Sequence, residues 1–256
     1  MKLQCPTRTR SLRIILGLAC LLLGLGLAGT AQAGLTIYYL RHGEAGHNVV
    51  ADFIKSGIPT NEWPVYVGKG NMFTPLGETQ VQIATTNLLK YKFDLIATSP
   101  IWRARHTILP YLQATGRTAE IWPELIESPS FVHDTTPVTP LPVTGTETIQ
   151  VAVAEQPFLK LRADAVNPSF LEITNWAGSV WLAKETLDLL HARFGTHDAT
   201  VLLVGHGTAG HNLIQYLTRD PTWTGSVQNA RLWMAKEKPD GSFELHILNG
   251  LPYPAP

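Results

Sequence analysis

The junction between a hydrophobic run at Leu35–Leu40 and the tetrapeptide RHGE at 41–44 constrains the fold more than any other part of the sequence. The run is apolar, aromatic and β-branched, which predicts a buried strand, and Asn48 begins a segment of helical spacing. A helix N-terminus after a glycine turn favours an anion. Arg41 suits phosphate or carboxylate and His42 can act as a nucleophile near neutral pH, so we favour phosphate.

The first 33 residues have the pattern of a secretory signal peptide. Four basic residues precede an apolar run at Ile14–Ala28, and Ala31-Gln32-Ala33 offers small residues for cleavage before Gly34. A membrane anchor is the alternative, but it needs about 20 apolar residues and this run has 15. We therefore expect a cleaved leader, a secreted or periplasmic protein and no stable membrane association after cleavage.

Residues 34–256 are predicted to form one domain, because 223 residues suffice for one substantial core. Both cysteines, Cys5 and Cys20, fall in the leader, so packing without disulfides must stabilise the mature chain. Without the four leader cations, 16 Lys and Arg face 20 Asp and Glu, a net charge of −4. That balance argues against nucleic acid as a partner.

Strand-like and helix-like segments alternate along the domain. After Leu35–Leu40, strands are predicted at Phe93–Thr98, Ala119–Trp122 and Thr200–Val204, and an antiparallel hairpin at Ala230–Ala235 and Ser242–Leu248. Helical spacing covers Pro75–Tyr91, Ile101–Ala114, Asn175–Phe194 and Thr208–Thr218, with weaker helical patterns over Thr146–Leu171. The order predicts a three-layer α/β/α sandwich with a mainly parallel sheet and an antiparallel hairpin at its edge.

Polar residues gather where these strands end. Arg41, His42, Arg103 and His206 all lie at or just beyond strand carboxyl ends, where parallel sheets bind ligands. The heptapeptides at 42–48 and 206–212 agree at six of seven positions, and each follows a strand and opens a helix. We therefore expect two histidines to face one crevice.

Four motifs, in chain order, together resemble the histidine phosphatase superfamily, also called phosphoglycerate mutase-like. They are RHGE at 41–44 with Asn48, SPIWRARHT at 99–107, LIE at 125–127 and VGHG at 204–207. The similarity spans most of the mature chain. Position 45 is Ala, where members acting on small substrates often carry Thr or Ser.

The resemblance implies a role for each matching residue. His42 would attack phosphorus and carry the phosphoryl group, with His206 also in the catalytic site. Arg41, Asn48 and Arg103 would bind the phosphate together with His206, with no metal or other cofactor. Glu127 would protonate the leaving group and then activate water, with Glu124 as the rival acid. The segment 128–171 is expected to be a substrate-facing insertion.

The predicted function is an exported phosphomonoesterase acting on a small phosphate ester through a phosphohistidine on His42. Phosphoglycerate mutase-like transfer and a non-catalytic binder of phosphate ligands are the alternatives. A metallohydrolase built on His42, His47, His206 and His211 is disfavoured, because histidines five residues apart do not share a helical face.

Overall fold

The computed structural model describes residues 34–129, 143–165, 169–173 and 175–254. The predicted signal peptide at 1–33 lies outside the described residues, as does most of the Ser128–Pro142 segment. None of the helices in the described ranges has the length and apolar character needed to cross a membrane.

Ten strands and five α-helices make up the described fold. The strands are β1 Leu35–Arg41, β2 Leu95–Thr98, β3 Ala119–Ile121, β4 Val143–Thr148, β5 Leu159–Leu161, β6 Ser169–Glu172, β7 Ala199–Gly205, β8 Leu232–Glu237, β9 Phe243–Leu248 and β10 Leu251–Pro252. The helices are α1 Val50–Ser56, α2 Pro75–Leu88, α3 Trp102–Thr115, α4 Trp176–Phe194 and α5 Gly207–Thr218.

Eight of the strands form one sheet in the order β10-β9-β8-β1-β7-β2-β3-β5. Strands β1, β7, β2, β3 and β5 run parallel to their neighbours, and β8 joins β1 antiparallel before β9 and β10 complete the edge. The predicted mainly parallel sheet with an antiparallel edge hairpin is confirmed.

Alternate residues of the central strands face opposite helical layers, as the two-residue period of a strand requires. Tyr39 and Leu203 pack in one core with side chains of α4 and α5. Leu40 and Val204, their chain neighbours, pack in a second core with side chains of α2 and α3. The sheet is therefore covered on both faces, and the three-layer prediction is confirmed.

The helical prediction for Thr146–Leu171 is wrong, because the described part of this segment contains short strands joined by turns and no helix. Strand β5 extends the parallel sheet beyond β3, and β4 pairs antiparallel with β6 in a separate two-stranded sheet. Strands of three to six residues pair with distant partners here, so local periodicity carries little information about them.

Helix α1 also differs from its prediction, because it buries none of its residues. The spacing of Val49, Phe53 and Ile54 predicts an apolar face, yet Ile54 is 65 % exposed. The helix ends at Gly57, whose φ of 72° lies in the left-handed region that glycine enters without strain.

Candidate active site

The parallel register of β1, β7 and β2 brings three separate turns together at one edge of the sheet. Arg41 is paired with Gly205 across β1 and β7, and Thr98 with Val204 across β7 and β2. The backbone N–H of His42 donates to the Gly205 carbonyl at 2.9 Å. His42, Ser99 and His206, each one residue past a strand end, therefore become neighbours.

His42 is held as a neutral imidazole with its reactive nitrogen directed at an arginine. The ring is 1 % exposed, and Nδ1 lies 2.7 Å from the Gly43 carbonyl, which can only accept a hydrogen bond. Nδ1 therefore carries the proton, and the lone pair of Nε2 accepts from Arg103 Nε at 3.1 Å. Burial lowers the pKa of His42 well below 6.5, and the charges of Arg103 and Arg41 lower it further.

His206 lies beside His42, with 5.3 Å between ring centroids and the rings close to perpendicular. The Tyr39 hydroxyl accepts from the backbone N–H of His206 at 2.7 Å and donates to its carbonyl at 2.9 Å. The Ser99 hydroxyl contacts Nε2 at 2.8 Å and accepts from the N–H of Ile101 at 3.2 Å. A Ser99 proton donated to Nε2 leaves the proton of His206 on Nδ1.

Nδ1 of His206 is buried and has no hydrogen-bond partner among the residues that the structure describes. Its nearest acidic atom is Oε2 of Glu127 at 3.7 Å, beyond hydrogen-bonding distance. Burial lowers the pKa of His206 well below 6.5, with further lowering from Arg103. The ring is thus neutral, and its Nδ1 faces the space beside Glu127.

Arg41 lines the cleft, and Arg103 contacts His42 Nε2 and lies 4.0 Å from Glu127. Arg41 Nη1 donates to the Val227 carbonyl at 2.7 Å, whereas its buried Nε has no partner in the described ranges. A Cβ at Gly207 would lie 3.0 Å from Arg41 Cζ and Nε, so glycine lets the guanidinium lie against the start of α5. Burial lowers the pKa of both Arg41 and Arg103, which stay cationic because the ordinary arginine pKa is so high.

Glu127 is the carboxylate that faces this cleft. Its Oε1 accepts from the N–H groups of Ala209 and Ser128 at 3.2 and 3.3 Å, and its Oε2 lies 4.0 Å from Arg103 Nη2. Burial raises the pKa of the carboxyl, although hydrogen bonds and arginines oppose the rise. Since 37 % of the side chain is still exposed, solvent moderates this shift.

The rival acid Glu124 points elsewhere. Both of its carboxylate oxygens accept from Arg162, at 2.9 and 3.1 Å, and both side chains are largely buried. A carboxylate held in a bidentate pair with a guanidinium is stabilised in its charged form. Glu124 is therefore engaged by Arg162, and it does not line the cleft.

Asn48 lies on the cleft wall beside His47. Its Oδ1 accepts from the N–H of Ala45 at 3.0 Å, and its Nδ2 lies 3.2 Å from His47 Nε2. One N–H of the amide remains for a ligand. The structure thus brings together all six residues that the sequence singled out, namely Arg41, His42, Asn48, Arg103, Glu127 and His206.

The cleft has a volume of about 580 Å³. Its far wall is formed by Thr224, Gly225 and Ser226 of the loop before β8, and Thr208 and His211 of α5 complete the rim. Nδ1 of His211 contacts the Gly225 carbonyl at 3.0 Å, so this histidine braces that loop.

One set of side chains in the described ranges has the spacing of a metal site. Ligand atoms of His42, Glu127 and His206 lie within 4.8 Å of one another. The guanidiniums of Arg41 and Arg103 lie in the same space, and Arg103 already donates to the Nε2 that a metal would need. Two fixed cations favour an anion there over a metal ion.

Several residues that position the site were not among those assigned from the sequence. Ser99 orients His206, and Thr107 Oγ1 accepts from the Gly43 N–H at 2.9 Å while donating to the Arg103 carbonyl at 2.7 Å. Asn229 Nδ2 donates to the His42 carbonyl at 3.0 Å. Ser99 and Thr107 do lie in the SPIWRARHT segment, but Tyr39 carries no signal that separates it from an ordinary core residue.

Arg105 and His106 lie outside the cleft. Arg105 Nη1 donates to Glu155 Oε2 at 2.8 Å, and His106 Nε2 lies 2.7 Å from Oε1 of the same carboxylate. This cluster ties α3 to the segment before β5, so both side chains support the helix that carries Arg103 rather than the cleft itself.

Part of the chain matches a known protein family. The family model of the histidine phosphatase superfamily (branch 1) matches residues 37–130. A search of curated protein sequences finds no significant relative.

Solved structures of similar fold include a mycobacterial hydrolase, at 20 % identity and a TM-score of 0.51 over 84 % of this chain and 98 % of that one. A mycobacterial glucosyl-3-phosphoglycerate phosphatase is 20 % identical, with a TM-score of 0.50 over 85 % of this chain and 99 % of that one. A variant of a phosphoserine phosphatase from Entamoeba histolytica, solved with phosphoserine, is 18 % identical, with a TM-score of 0.50 over 84 % of this chain and 96 % of that one.

These likenesses show that the chain shares the fold of those solved structures. The match over residues 37–130 supports a phosphatase or phosphoryl-transfer function. Residues 37–130 thus match the histidine phosphatase superfamily, and the fold of the described domain agrees with that match.

Proposed function

We propose that this protein is a phosphomonoesterase that hydrolyses small phosphate esters through a phosphohistidine on His42. One observation carries the proposal. His206 Nδ1, a buried nitrogen with no partner among the described residues, lies with Arg103 beside His42 and Glu127, and Arg41, whose buried Nε also has no partner there, lines the same cleft. Buried donors are costly when left unpaired, and the oxygens of a phosphate group would satisfy them.

In the first step, the lone pair of His42 Nε2 attacks phosphorus and the ester P–O bond breaks. Arg41, Arg103 and His206 stabilise the oxygens on which charge is concentrated. The Nδ1–H bond to the Gly43 carbonyl stabilises the positive charge that the ring gains when Nε2 becomes bonded to phosphorus. The protonated carboxyl of Glu127 gives its proton to the leaving oxygen, which departs as an alcohol.

In the second step, the Glu127 carboxylate takes a proton from water, and the oxygen of that water attacks phosphorus. The N–P bond breaks, the electron pair returns to His42 Nε2, and inorganic phosphate leaves. Glu127 is again protonated, so the site returns to its starting state. A carboxyl with a raised pKa suits both tasks, because it holds its proton in one step and accepts one in the other.

The test is the replacement His42→Ala, with His197→Ala as a matched control on an exposed histidine outside the cleft. We expect His42→Ala to lower kcat on p-nitrophenyl phosphate by at least about 10³-fold, because the covalent route is lost. Rapid quenching of the wild type with labelled substrate should trap label that survives alkali and is lost in acid, as phosphohistidine requires. Turnover retained in His42→Ala would refute the proposal, and phosphate binding without turnover by the wild type would favour a binding protein.

Phosphoryl transfer between two sites of one substrate, as in a mutase, is the second candidate. It uses the same His42 chemistry, but the phosphohistidine then meets a substrate hydroxyl instead of water. Product analysis separates the two. Release of one inorganic phosphate per ester consumed supports hydrolysis, and isomerised ester without free phosphate supports transfer.

We also propose that residues 1–33 direct export and are removed, on the basic start, apolar run and small residues of the leader. N-terminal sequencing of the protein recovered from the periplasm or the medium should begin at Gly34. Recovery of the whole chain with an intact Met1 from a membrane fraction would refute cleavage.

A further inference from the structure

His47 lies on the wall of the cleft but has no part in the steps above. Its ring centroid is 5.5 Å from that of His42, almost the same distance that separates His42 from His206. Its Nδ1 is buried and has no hydrogen-bond partner in the part of the chain that the structure describes. This nitrogen thus resembles Nδ1 of His206, which lines the same space.

The hydrogen bonds around His47 determine which of its nitrogens carries the proton. The N–H of Ala45 can only donate, so the Asn48 atom that it contacts at 3.0 Å is the amide oxygen. The other Asn48 atom, Nδ2, is then a donor and lies 3.2 Å from His47 Nε2. Nε2 must accept this bond, so the proton of a neutral His47 is on Nδ1.

The surroundings keep the ring neutral. Burial lowers the pKa of His47 to about 4, and the charges of Arg103 and Arg41 contribute to the lowering. A Cβ built at Gly70 would lie 3.9 Å from His47 Nδ1 and 3.4 Å from Arg103 Nη1. Nδ1 therefore lies on the same side of Gly70 as the guanidinium of Arg103, and His47 lines the cleft together with His42.

Among the side chains of the turn at 43–48, the second N–H of Asn48 is the other donor available at this place. The side chain of Ala45 is buried with Phe73 and Val81 and carries no polar atom. Asn48 uses its oxygen and one N–H to hold the turn and His47. An anion beside His42 would satisfy the buried Nδ1–H of His47, which otherwise carries a desolvation cost.

We propose that His47 is a further phosphate-binding residue, whose neutral ring donates its Nδ1–H to a non-bridging oxygen of the phosphate group held beside His42. The proposal rests on the proposed function only in taking phosphate as the anion of this cleft. Asn48 then acts on the phosphate partly through His47, because its amide fixes the proton on Nδ1.

The experiment measures binding of inorganic phosphate to the full chain by titration calorimetry, which requires no turnover. The side chain of Asn places an N–H near the position of His Nδ1, whereas that of Gln places one near Nε2. We expect His47→Gln and His47→Phe to weaken phosphate binding about 10- to 100-fold, the value of a hydrogen bond to a charged group. His47→Asn should bind at least about fivefold more tightly than His47→Gln, and the control His197→Gln should bind like the wild type.

Equal weakening in His47→Asn and His47→Gln would overturn the proposal, because the position of the donor would then be irrelevant. Unchanged binding in His47→Gln, or a wild type that binds no phosphate, would overturn it as well. A wild type that binds phosphate with this pattern but shows no turnover would refute the hydrolase and leave the role of His47 intact. Circular dichroism melts of each variant establish that it folds.

Discussion

Replacing Glu127 by Gln separates proton transfer from phosphate binding. The carboxylate Oε1 accepts from the N–H groups of Ala209 and Ser128 at 3.2 and 3.3 Å, and a Gln carbonyl oxygen can accept the same two bonds. The amide nitrogen then occupies the place of Oε2, the oxygen that lies 3.7 Å from His206 Nδ1. The variant keeps the shape of the site and loses the transferable proton.

The size of the effect depends on the basicity of the leaving group. A positioned general acid contributes about 10²- to 10⁴-fold where the leaving oxygen needs a proton. We expect kcat/KM of Glu127→Gln to fall by about that factor for an alkyl phosphate such as glycerol phosphate. With p-nitrophenyl phosphate, whose phenolate leaves readily without a proton, the loss should stay below about tenfold.

Steady-state rates on both substrates form the assay, and Glu124→Gln is the matched control. Its carboxylate is paired with Arg162 at 2.9 and 3.1 Å, so the control should lose about 1–3 kcal/mol of stability. The ratio of its two rates should remain that of the wild type. The same loss on both substrates for Glu127→Gln would refute the proton-donor role, as would a changed ratio in Glu124→Gln alone.

The pH dependence of the rate is a second test of Glu127 as the proton donor. Burial raises the pKa of Glu127, so its acid form persists to a higher pH than that of an ordinary glutamate. The alkyl phosphate rate should fall as the pH rises through this pKa, and the fall should be absent in Glu127→Gln. Protonation of His42 inactivates the nucleophile only well below pH 6.5, because burial lowers its pKa. We therefore expect a maximum on the acidic side of neutrality.

Three further outcomes follow from the positioning residues. The pKa of His47 is lowered to about 4 in the folded protein, so its contribution to the free energy of unfolding is complete above pH 6.5 and is lost as the pH falls. We expect the loss to be about 1 kcal/mol at pH 5, after allowance for the partial exposure of the ring. Urea unfolding without phosphate should show a smaller loss in His47→Asn. Ser99→Ala should lower kcat/KM about tenfold, and nitrogen NMR should show that His206 no longer keeps its proton on Nδ1 alone. Gly46→Ala should lower the free energy of unfolding by about 3 kcal/mol or more, because a Cβ there would lie 1.6 Å from the Tyr66 carbonyl oxygen. An unchanged midpoint of urea unfolding would refute this expectation.

The central strands could be predicted from sequence because burial on both faces leaves a continuous apolar run. Leu35–Arg41 and Ala199–Gly205 are of this kind, and polar residues follow each one directly. Helix α2 was equally clear, since Thr74 accepts from the Gly77 N–H as an N-cap and Pro75 opens the helix. The short strands β4, β5 and β6 have neither signal, because their stability comes from partners far away in the chain.

Some features of the site could likewise be predicted from sequence, and others could not. Arg41, His42, Arg103 and His206 follow strands, so position alone marks them. Which ring nitrogen of each histidine carries the proton could not be predicted from position in the sequence. The proton positions depend on contacts such as Ser99 to His206, which are separated by 107 residues and meet only through the register of β2 and β7.

The charges of the cleft serve binding and reactivity together. Arg41 and Arg103 attract a phosphate, and the same two charges lower the pKa of His42, so the nucleophile stays unprotonated while the anion is bound. A positively charged His42 would also bind phosphate, but its Nε2 would have no lone pair with which to attack phosphorus. Burial resolves this conflict, because it excludes protonation of the imidazole and leaves the guanidiniums charged, their ordinary pKa lying far above neutrality. Arg41 and Arg103, which cannot lose their charge, therefore bind the anion, and His42, which stays neutral, acts as the nucleophile.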